Sequence, residues 1–334
     1  MAQDAIPLRD FGTTGDMPAI HRVYGIDVRS FRRLINLPRS EARHWQVEFA
    51  RGDEQSFARA TAFIPRHRRG RWYQSVRLPD GSIFFRWLGL FDFLAAPDGR
   101  RIEVVTYRHA SEEGLQAYLL TEALSLAMVQ LGREPLHATA VETPHGAVAF
   151  IGDSGYGKST LAALMLAAGC RFITDDMLVL TRHGTAFLAC PGPLRIKLYE
   201  HIANRIFGTG CNGVPINPAT RKLIMPIDAS RAAGTSRPVC ALYVIEEPGR
   251  CGDDIRISPL TPGQALPEIL AASLNNWNLD PKRLKRLFRF ATDIARTLPV
   301  RMLSYPRDEK RMDALFGAVM ADLAAHGGAV LAAG

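Results

Sequence analysis

Residues 152–159 read Gly-Asp-Ser-Gly-Tyr-Gly-Lys-Ser and fit G-x-x-x-x-G-K-[ST], the phosphate-binding P-loop pattern. An apolar run at 147–151 precedes them and a helix-forming run at 160–168 comes after them, which is the context that the pattern requires. Glycines are needed because backbone N–H groups must turn around phosphate oxygens in conformations that a Cβ atom would obstruct. The alternative is a glycine-rich turn that fits by chance.

In a P-loop the lysine, here Lys158, reaches the β- and γ-phosphates, and the serine, here Ser159, binds Mg²⁺. We therefore predict nucleotide phosphates and Mg²⁺ as ligands of this stretch. The residues expected to contact the nucleotide are Gly152, Asp153, Ser154, Gly155, Tyr156, Gly157, Lys158, Ser159 and Thr160.

Two adjacent acids, Asp175 and Asp176, follow a predicted strand at 170–174. A short helix ended by Gly169 leads to that strand, which predicts a right-handed βαβ crossover with the acids at the same sheet edge as the loop. Successive side chains of an extended chain point in different directions. One carboxylate can therefore hold Mg²⁺ beside Ser159 while the other faces an incoming hydroxyl as a base. The alternative is a helix cap or a loop acid.

A histidine is expected at the mouth of the loop. Residues 136–142 and 147–151 flank a turn at 143–146 and predict a hairpin in which Glu142 faces Ala147. Counting back one residue at a time places His137 opposite Gly152. A functional histidine and a satisfied core histidine both remain open at this point.

Downstream the chain continues as α/β. A predicted strand at 194–198 carries Arg195 and Lys197, and a glycine-rich stretch at 208–215 precedes Arg221 and Lys222. A mobile lid that brings cations to a transferred phosphate would have this composition, and so would an ordinary surface loop.

A helix is predicted from Pro281, with one apolar and one basic face. The apolar stripe comprises Leu284, Leu287, Phe288, Ala291, Ile294 and Leu298. The basic face comprises Lys282, Arg283, Lys285, Arg286 and Arg289. We expect this face, like the cluster at 66–71, to be solvated.

The whole chain has 334 residues, 47% hydrophobic and 22% charged, as in a soluble globular protein of one large or two domains. No run approaches the roughly 18 apolar residues of a membrane span, and no signal peptide is evident. Five scattered cysteines without CxxC spacing indicate a reducing compartment, so we expect a cytoplasmic protein without a membrane partner. The net charge of +8 suits nucleic acid, an acidic peptide or phosphate-rich ligands equally.

Two Pro-Asp-Gly turns, at 79–81 and 97–99, separate runs rich in β-branched and aromatic residues and predict two hairpins. We therefore predict a β-rich accessory domain at 1–110, a linking helix at 111–134 and a P-loop kinase domain at 135–330. Ser111 is the expected start of the linking helix and Gly132 its end.

The sequence around and downstream of the motif narrows the type of P-loop protein. The chain has neither the N-K-x-D of GTPases nor the L-S-G-G-Q of ABC-type ATPases. Asp175 and Asp176 come sixteen and seventeen residues after Ser159, which favours transfer to a hydroxyl over a conformational motor.

The same residues carry a resemblance. The stretches Leu136-His137, 147–159 and Phe172-Ile-Thr-Asp-Asp176 look like the nucleotide-binding core of the HPr kinase/phosphorylase family, within it the divergent HprK-related serine kinases; residues 298–306 are also similar to how those relatives end. The resemblance covers about residues 135 to 320. It departs from the family at 205–208, a poor match for R-G-L-G-I-I-N, and at Gly249-Arg250, which leaves HPr as acceptor and reverse phosphorolysis open.

The resemblance implies an α/β fold with a PEP-carboxykinase-like P-loop core and ATP-dependent phosphorylation of a serine hydroxyl. Carried across by position, it assigns the catalytic base to Asp175, the metal-side aspartate to Asp176 and the active-site histidine to His137. Relatives of this size are associated with peptide natural products, so the implied acceptor is a peptide or protein, such as the C-terminal serine of a lasso-peptide precursor.

Two other functions stay open. One is a kinase of a small-molecule hydroxyl; the other, of a different class, is a nucleotide-switched binding module whose basic face at 282–289 holds nucleic acid or an acidic partner. If the chain is a serine kinase, no nucleic-acid partner is expected. A homo-oligomer is compatible with the sequence, which does not reveal the oligomeric state.

Overall fold

The computed structural model describes residues 18–62, 73–107, 110–210, 213–217, 220–248, 250, 254–306 and 311–326. The chain divides into two compact units. The first comprises Met1–Arg133 and Pro215–Thr220, and the second comprises Glu134–Val214 and Arg221–Gly334. The helix expected to link two domains thus falls within the first unit. Among the described residues, no helix has the length and apolar character needed to cross a membrane.

The first unit is built mainly of strands. Its described elements are β1 (Ala19–Val23), β2 (Ile26–Ser30), β3 (Val47–Arg51), α1 (Glu54–Ala62), β4 (Tyr73–Arg77), β5 (Ile83–Trp87), β6 (Phe91–Ala95), β7 (Arg101–Thr106), α2 (Glu112–Tyr118), a π-helical turn (Leu119–Ala123) and α3 (Leu124–Gln130). The described strands form one sheet in the order β1-β2-β3-β7-β6-β5-β4.

Both hairpins predicted in the first unit are confirmed. β4 pairs antiparallel with β5 and β6 with β7, each across a Pro-Asp-Gly turn. The turn glycines, Gly81 and Gly99, have φ of +87° and +72°, which residues with a Cβ rarely adopt. Ser111 caps α2 as expected, because its Oγ accepts the Gly114 N–H at 3.0 Å.

The second unit contains the predicted phosphate loop and acid pair. Its described elements are β8 (Ala138–Thr143), β9 (Gly146–Ile151), α4 (Lys158–Ala167), β10 (Arg171–Thr174), β11 (Leu180–His183), β12 (Ala186–Ala189), β13 (Arg195–Tyr199), α5 (Glu200–Phe207), β14 (Val214–Pro215, at the boundary of the units), β15 (Lys222–Pro226), a 3₁₀ turn (Ala229–Arg231), β16 (Arg237–Ile245), β17 (Arg256–Pro259), α6 (Pro262–Ala271), α7 (Pro281–Thr297), β18 (Val300–Ser304) and α8 (Met312–His326).

The main sheet of this unit brings several strand ends to one edge. β16 pairs with both β9 and β18 and is parallel to each, and the antiparallel β8 lies between β9 and β10. β10 therefore runs in the same direction as β9 without pairing with it, so the predicted crossover passes over β8 instead of ending beside β9. The carboxyl ends of β9 and β10 still share an edge, which is where α/β sheets bind ligands.

Alternation along β9 builds a core on each face of this sheet. Val148 and Phe150 pack with apolar residues of α4, α5 and α8, whereas Ala147, Ala149 and Ile151 pack with α6 and α7. Each fully buried large side chain stabilises the fold by about 1.5–3 kcal/mol relative to its exposed state. Helices thus cover both faces, and the molecule is a mixed α/β protein.

Several predicted elements differ from those observed. The strand expected at 177–180 begins only at Leu180, because Leu178 instead makes an isolated bridge with Leu136. Two members of the apolar stripe on α7, Leu284 and Phe288, are each 53% exposed and lie outside the core. The basic cluster at 66–71, Gly249 and the first residues of the last predicted helix lie outside the described residues.

Candidate active site

The glycine-rich loop lies between β9 and α4, as the motif requires. Gly152, Gly155 and Gly157 have φ of +143°, +87° and +96°, and Gly157 is the residue immediately before the helix. A Cβ at Gly152 would lie 3.1 Å from the carbonyl oxygen of Ile245, the last residue of β16. Helix N-terminal N–H groups lack intrahelical acceptors and favour anions. The loop is therefore suited to a phosphate group.

Lys158 is folded back onto this loop. Its Nζ donates to the carbonyl oxygens of Gly152 at 2.7 Å and Asp153 at 3.0 Å, and the residue is only 5% exposed. Burial lowers the pKa of Lys158 to about 8, against the opposing charges of nearby carboxylates. Its hydrogen bonds within the described residues go to these two carbonyl oxygens, which phosphate oxygens can replace.

Asp175 is the buried member of the acid pair. One carboxylate oxygen accepts the hydroxyls of Thr139 at 2.6 Å and Ser159 at 2.8 Å, and the other accepts the Lys197 backbone N–H at 2.9 Å. Burial raises its pKa, as does the charge of Asp176, while these hydrogen bonds act in the opposite direction. Together these contacts hold the Asp175 carboxylate beside the loop serine.

Asp176 points elsewhere because its backbone is left-handed, with φ of +67°. Its carboxylate lies 2.6 Å from the Lys197 Nζ. Burial opposes its ionisation, but the Lys197 charge outweighs burial and holds the pKa of Asp176 well below its usual range. We predicted Asp176 beside Ser159; the structure places Asp175 there, since the turn at Asp176 directs its side chain to Lys197.

His137 lies at the predicted register position. Ala138 pairs with Ile151 and Glu142 with Ala147, so His137 comes at the level of Gly152. Its Nδ1 is 3.1 Å from the Asp176 carbonyl oxygen. Burial lowers the pKa of His137, as does the Lys158 charge. A neutral ring that donates from Nδ1 to this carbonyl leaves Nε2 as an acceptor.

A second, smaller sheet, ordered β13-β15-β14, supplies further cations. Tyr199 pairs with Lys222 across β13 and β15, and the Lys222 Nζ lies 5.5 Å from the Tyr199 ring centroid. Burial has the largest effect on the pKa values of both Lys158 and Asp176, lowering that of Lys158 and raising that of Asp176, and the Lys222 charge lowers both. Lys222 is thus a strand residue close to the acid pair and not part of the loop predicted as a lid.

Sequence reasoning missed two contributors to this site. Thr139 holds Asp175, and Lys197 contacts both acids, through its backbone N–H and its ammonium group. The alternation Arg195-x-Lys197 on a predicted strand was a usable signal for a cation at the site, whereas nothing marked Thr139. Of the predicted lid, residues 211–212 lie outside the described part, and Pro215 belongs to the first unit.

The other residues predicted to contact the nucleotide lie in the loop or at the start of α4. Asp153, Ser154 and Gly155 are exposed, and Thr160 lies in the first turn of α4. The described residues contain no cluster of three or more His, Cys, Asp or Glu side chains suited to a metal ion. Mg²⁺ in phosphate-transfer sites is usually held by one or two carboxylates together with substrate phosphates and water, so Ser159 and Asp175 fit this ion.

Comparison with known proteins gives one sequence relative. The chain is 33% identical over 91 residues to the HPr kinase/phosphorylase of Prosthecochloris aestuarii, which is 27% of this chain and 26% of that protein. The chain thus matches about a quarter of the length of this curated relative. No protein-family model matches. The similarity confirms the resemblance to the HPr kinase/phosphorylase family that the site residues indicate.

A solved structure covers more of the chain at lower similarity. The HPr(Ser) kinase/phosphatase of Coxiella burnetii covers 57% of this chain and 96% of its own, with 12% identity and a TM-score of 0.31.

Proposed function

We propose that this chain is an ATP- and Mg²⁺-dependent kinase that transfers the γ-phosphoryl group to a serine hydroxyl of a peptide or protein. The observation that carries the proposal is the meeting of a glycine-rich anion loop, a buried lysine and two differently oriented carboxylates at one sheet edge. Phosphoryl transfer depends mainly on positioning and charge stabilisation, and these groups are sufficient for both.

The nucleotide phosphates would occupy the loop formed by Gly152–Gly157 at the start of α4. Backbone N–H groups and the helix N-terminus would bind the phosphate oxygens. Lys158 would exchange its two carbonyl contacts for phosphate oxygens and stabilise the charge that develops in transfer. Lys222, on the neighbouring strand, adds positive potential on the same side.

Ser159 and Asp175 would hold the metal ion. Their contact at 2.8 Å places a hydroxyl and a carboxylate together beside the loop, which is a set of oxygen donors that Mg²⁺ prefers. When bound, Mg²⁺ supplies positive charge to the β- and γ-phosphate oxygens. Thr139 fixes the Asp175 carboxylate in this position.

Asp176 would then accept the proton of the acceptor hydroxyl. Its carboxylate pairs with Lys197 and not with Ser159, and its side chain is 20% exposed, so it would be open to a bound acceptor. Lys197 keeps it ionised and would have to share the carboxylate with the acceptor, while His137 orients the turn through the Asp176 carbonyl. The family resemblance gives these two acids the opposite roles; the raised pKa of Asp175 favours that assignment, and the Ser159 contact favours ours.

The acceptor class is proposed from the resemblance to protein kinases of HPr and not from a feature of the described site. Within that class, the C-terminal serine of a lasso-peptide precursor is the preferred candidate. The proposal is tested by intact-mass analysis of serine-ended precursor peptides after incubation with the protein, ATP and Mg²⁺.

A Lys158→Ala variant serves as the control in this experiment. We expect a phosphate-sized mass gain with the wild-type protein and a rate at least about 10²-fold lower in the variant, because an electrostatic contact to the transferred group is removed. ATP consumption without a mass gain on any serine peptide would reject the acceptor class. A mass gain that persists in the variant would reject the site.

A further inference from the structure

The first turns of α7 and the loop before them expose an unusual amount of apolar surface. Of the nine large hydrophobic residues that are exposed in the described part of the chain, four fall within residues 277–288. These four residues, which we call the α7 ridge, are Trp277, Leu279, Leu284 and Phe288, with 46%, 43%, 53% and 53% of their surface exposed. Exposed apolar side chains that form a cluster mark an interaction site more often than scattered ones do.

The ridge is held in place from beneath. The Arg283 guanidinium donates to the carbonyl oxygens of Leu274 at 2.7 Å and Asn278 at 3.0 Å, and also to that of Asn275. It pairs in addition with Glu134. The loop and the helix start are therefore fixed together, and the ridge presents a preformed surface.

The helix start itself also orders the ridge. The Asp280 carboxylate accepts the Arg283 N–H at 2.8 Å and caps the helix. Leu279 and Leu284 consequently occupy the two positions that form a hydrophobic staple around a cap. Phe288 follows Leu284 by four residues and lies on the same helix face. The apolar line thus continues from the loop over two turns of α7.

A basic border runs beside this line. Lys285 and Arg289 follow Leu284 and Phe288 by one residue each, which places them about 100° further round the helix. Together with Lys282 they are exposed, and none of the three has an acidic partner within the described residues. The acid within the helix, Asp293, is paired with Arg182 at 3.6 Å. The surface therefore combines an apolar line with uncompensated positive charge.

We propose that the α7 ridge binds an acidic amphipathic segment of a partner protein. Apolar side chains of the segment would cover the ridge, and its carboxylates would face Lys282, Lys285 and Arg289. Charge complementarity selects this occupant. A nucleic acid would use the basic border but would leave four apolar side chains without a role, and the proposal does not depend on the phosphoryl-transfer site.

The test uses a fluorescein-labelled helical peptide of about 18 residues, with Leu and Phe at i, i+3, i+4 and i+7 positions and Glu elsewhere. A scrambled peptide of the same composition, a 20-base-pair DNA duplex and phosphatidylglycerol vesicles are the comparison probes. Binding is measured by anisotropy or co-sedimentation with the full chain. Variants are Leu284→Ser/Phe288→Ser and Lys285→Glu/Arg289→Glu, with Leu88→Ser and Arg256→Glu as matched controls on other exposed surfaces.

We expect the amphipathic peptide to bind more tightly than the scrambled one. Either ridge variant should weaken binding at least about tenfold, while both control variants bind as the wild type does. Added salt should weaken binding in the wild type. The substituted side chains are exposed, so an unchanged circular dichroism spectrum is expected for each variant; only Leu284→Ser/Phe288→Ser, which removes the staple, should lower the melting temperature slightly.

Three outcomes would overturn the proposal. The first is no measurable peptide binding at about 1 mM, or equal binding of both peptides. The second is DNA binding that the charge reversal abolishes and the apolar variant leaves unchanged. The third is vesicle binding sensitive to both variants in the absence of peptide binding, which would make the ridge a membrane contact.

Discussion

A single acid, Glu134, and an acid pair, Asp175 and Asp176, face lysine or arginine side chains in the second unit, and the two sites differ in almost every other respect. Glu134 is paired with Arg283 and Arg286, and the side chains of Glu134 and Arg283 are 1% and 3% exposed. Asp175 and Asp176 lie at a sheet edge, share Lys197 and repel one another. The contacts of Glu134 join a loop to a helix. Asp175 and Asp176 leave the charges imbalanced beside an anion-binding loop.

The difference shows that burial of a carboxylate does not by itself mark a functional site. Glu134 is more buried than Asp176, yet its partners satisfy it from within the fold. The acid pair instead combines a left-handed residue, like charges on adjacent residues and pKa values shifted in opposite directions. Such conflicts cost stability and persist where a ligand or a reaction uses them.

The largest expected effect comes from replacing the two site acids one at a time. Asp176→Asn should lower phosphoryl transfer by about 10²- to 10⁴-fold, because a general base is lost, while Mg²⁺-dependent nucleotide binding is retained. Asp175→Asn should also stop transfer and, in addition, remove the Mg²⁺ dependence of nucleotide affinity. Titration of a fluorescent ATP analogue with and without Mg²⁺ measures the second effect, and single-turnover transfer measures the first.

The same variants separate our assignment from the one implied by the resemblance. If Asp175→Asn retains Mg²⁺-dependent binding and Asp176→Asn loses it, the roles are exchanged. Full transfer activity in both variants would remove the acids from the mechanism. Because folding disfavours the ionised form of Asp175, its replacement should leave the free energy of unfolding within about 1 kcal/mol of the wild type or raise it.

Glu134→Ala should have the opposite signature. Removing this carboxylate leaves Arg283 buried without its charge partner, which we expect to lower the free energy of unfolding by about 3–5 kcal/mol. Urea denaturation measures the change. Asp293→Ala is the matched control, since Asp293 pairs with Arg182 on the surface at 3.6 Å, and its loss should cost at most about 1 kcal/mol.

The comparison is broken if Glu134→Ala is as stable as the Asp293→Ala control. It is also broken if Glu134→Ala, in conditions where it is folded, loses the Mg²⁺ dependence of nucleotide affinity, as Asp175→Asn is expected to do. A loss of stability with unchanged nucleotide affinity would show that Glu134 and the acid pair have separate roles.

Much of the fold could be predicted from local patterns in the sequence. The Pro-Asp-Gly turns predicted both hairpins of the first unit, and the turn at 143–146 predicted the register that brings His137 level with Gly152. These features depend on residues close together in the chain. The strand order was not accessible in this way, because the insertion of β8 between β9 and β10 depends on pairings that the local pattern does not encode.

The sequence predicted which residues come together at the candidate site, but not the geometry of their contacts. The motif and the strand ends placed Lys158, Ser159 and the acid pair at one edge. The left-handed turn at Asp176 could not be read from the sequence, and it decides which carboxylate reaches Ser159. Helix periodicity likewise predicted that Leu284 and Phe288 are buried. Both are exposed, because the core contacts only one side of the predicted stripe.

The smallest expected effect sharpens the electrostatic side of the comparison. Burial lowers the pKa of Lys158 from its ordinary value near 10.5 to about 8. Between these pH values the folded protein has released a proton that the unfolded chain retains, so this group's contribution to stability increases with pH, and it is lost as the pH falls through about 8. Phosphate binding needs the protonated form and should show the reverse trend.

We therefore expect nucleotide affinity to fall about tenfold between pH 7 and pH 9, following the charged fraction of a group with this pKa. Lys158→Arg is the matched control, because a guanidinium stays charged throughout this range and every other titrating group of the site remains in place. The affinity profile of that variant should be flat, so the difference between the two profiles isolates Lys158. A wild-type profile as flat as that of the variant would mean that Lys158 does not contact the bound phosphate, or that it is already exposed to water before the nucleotide binds.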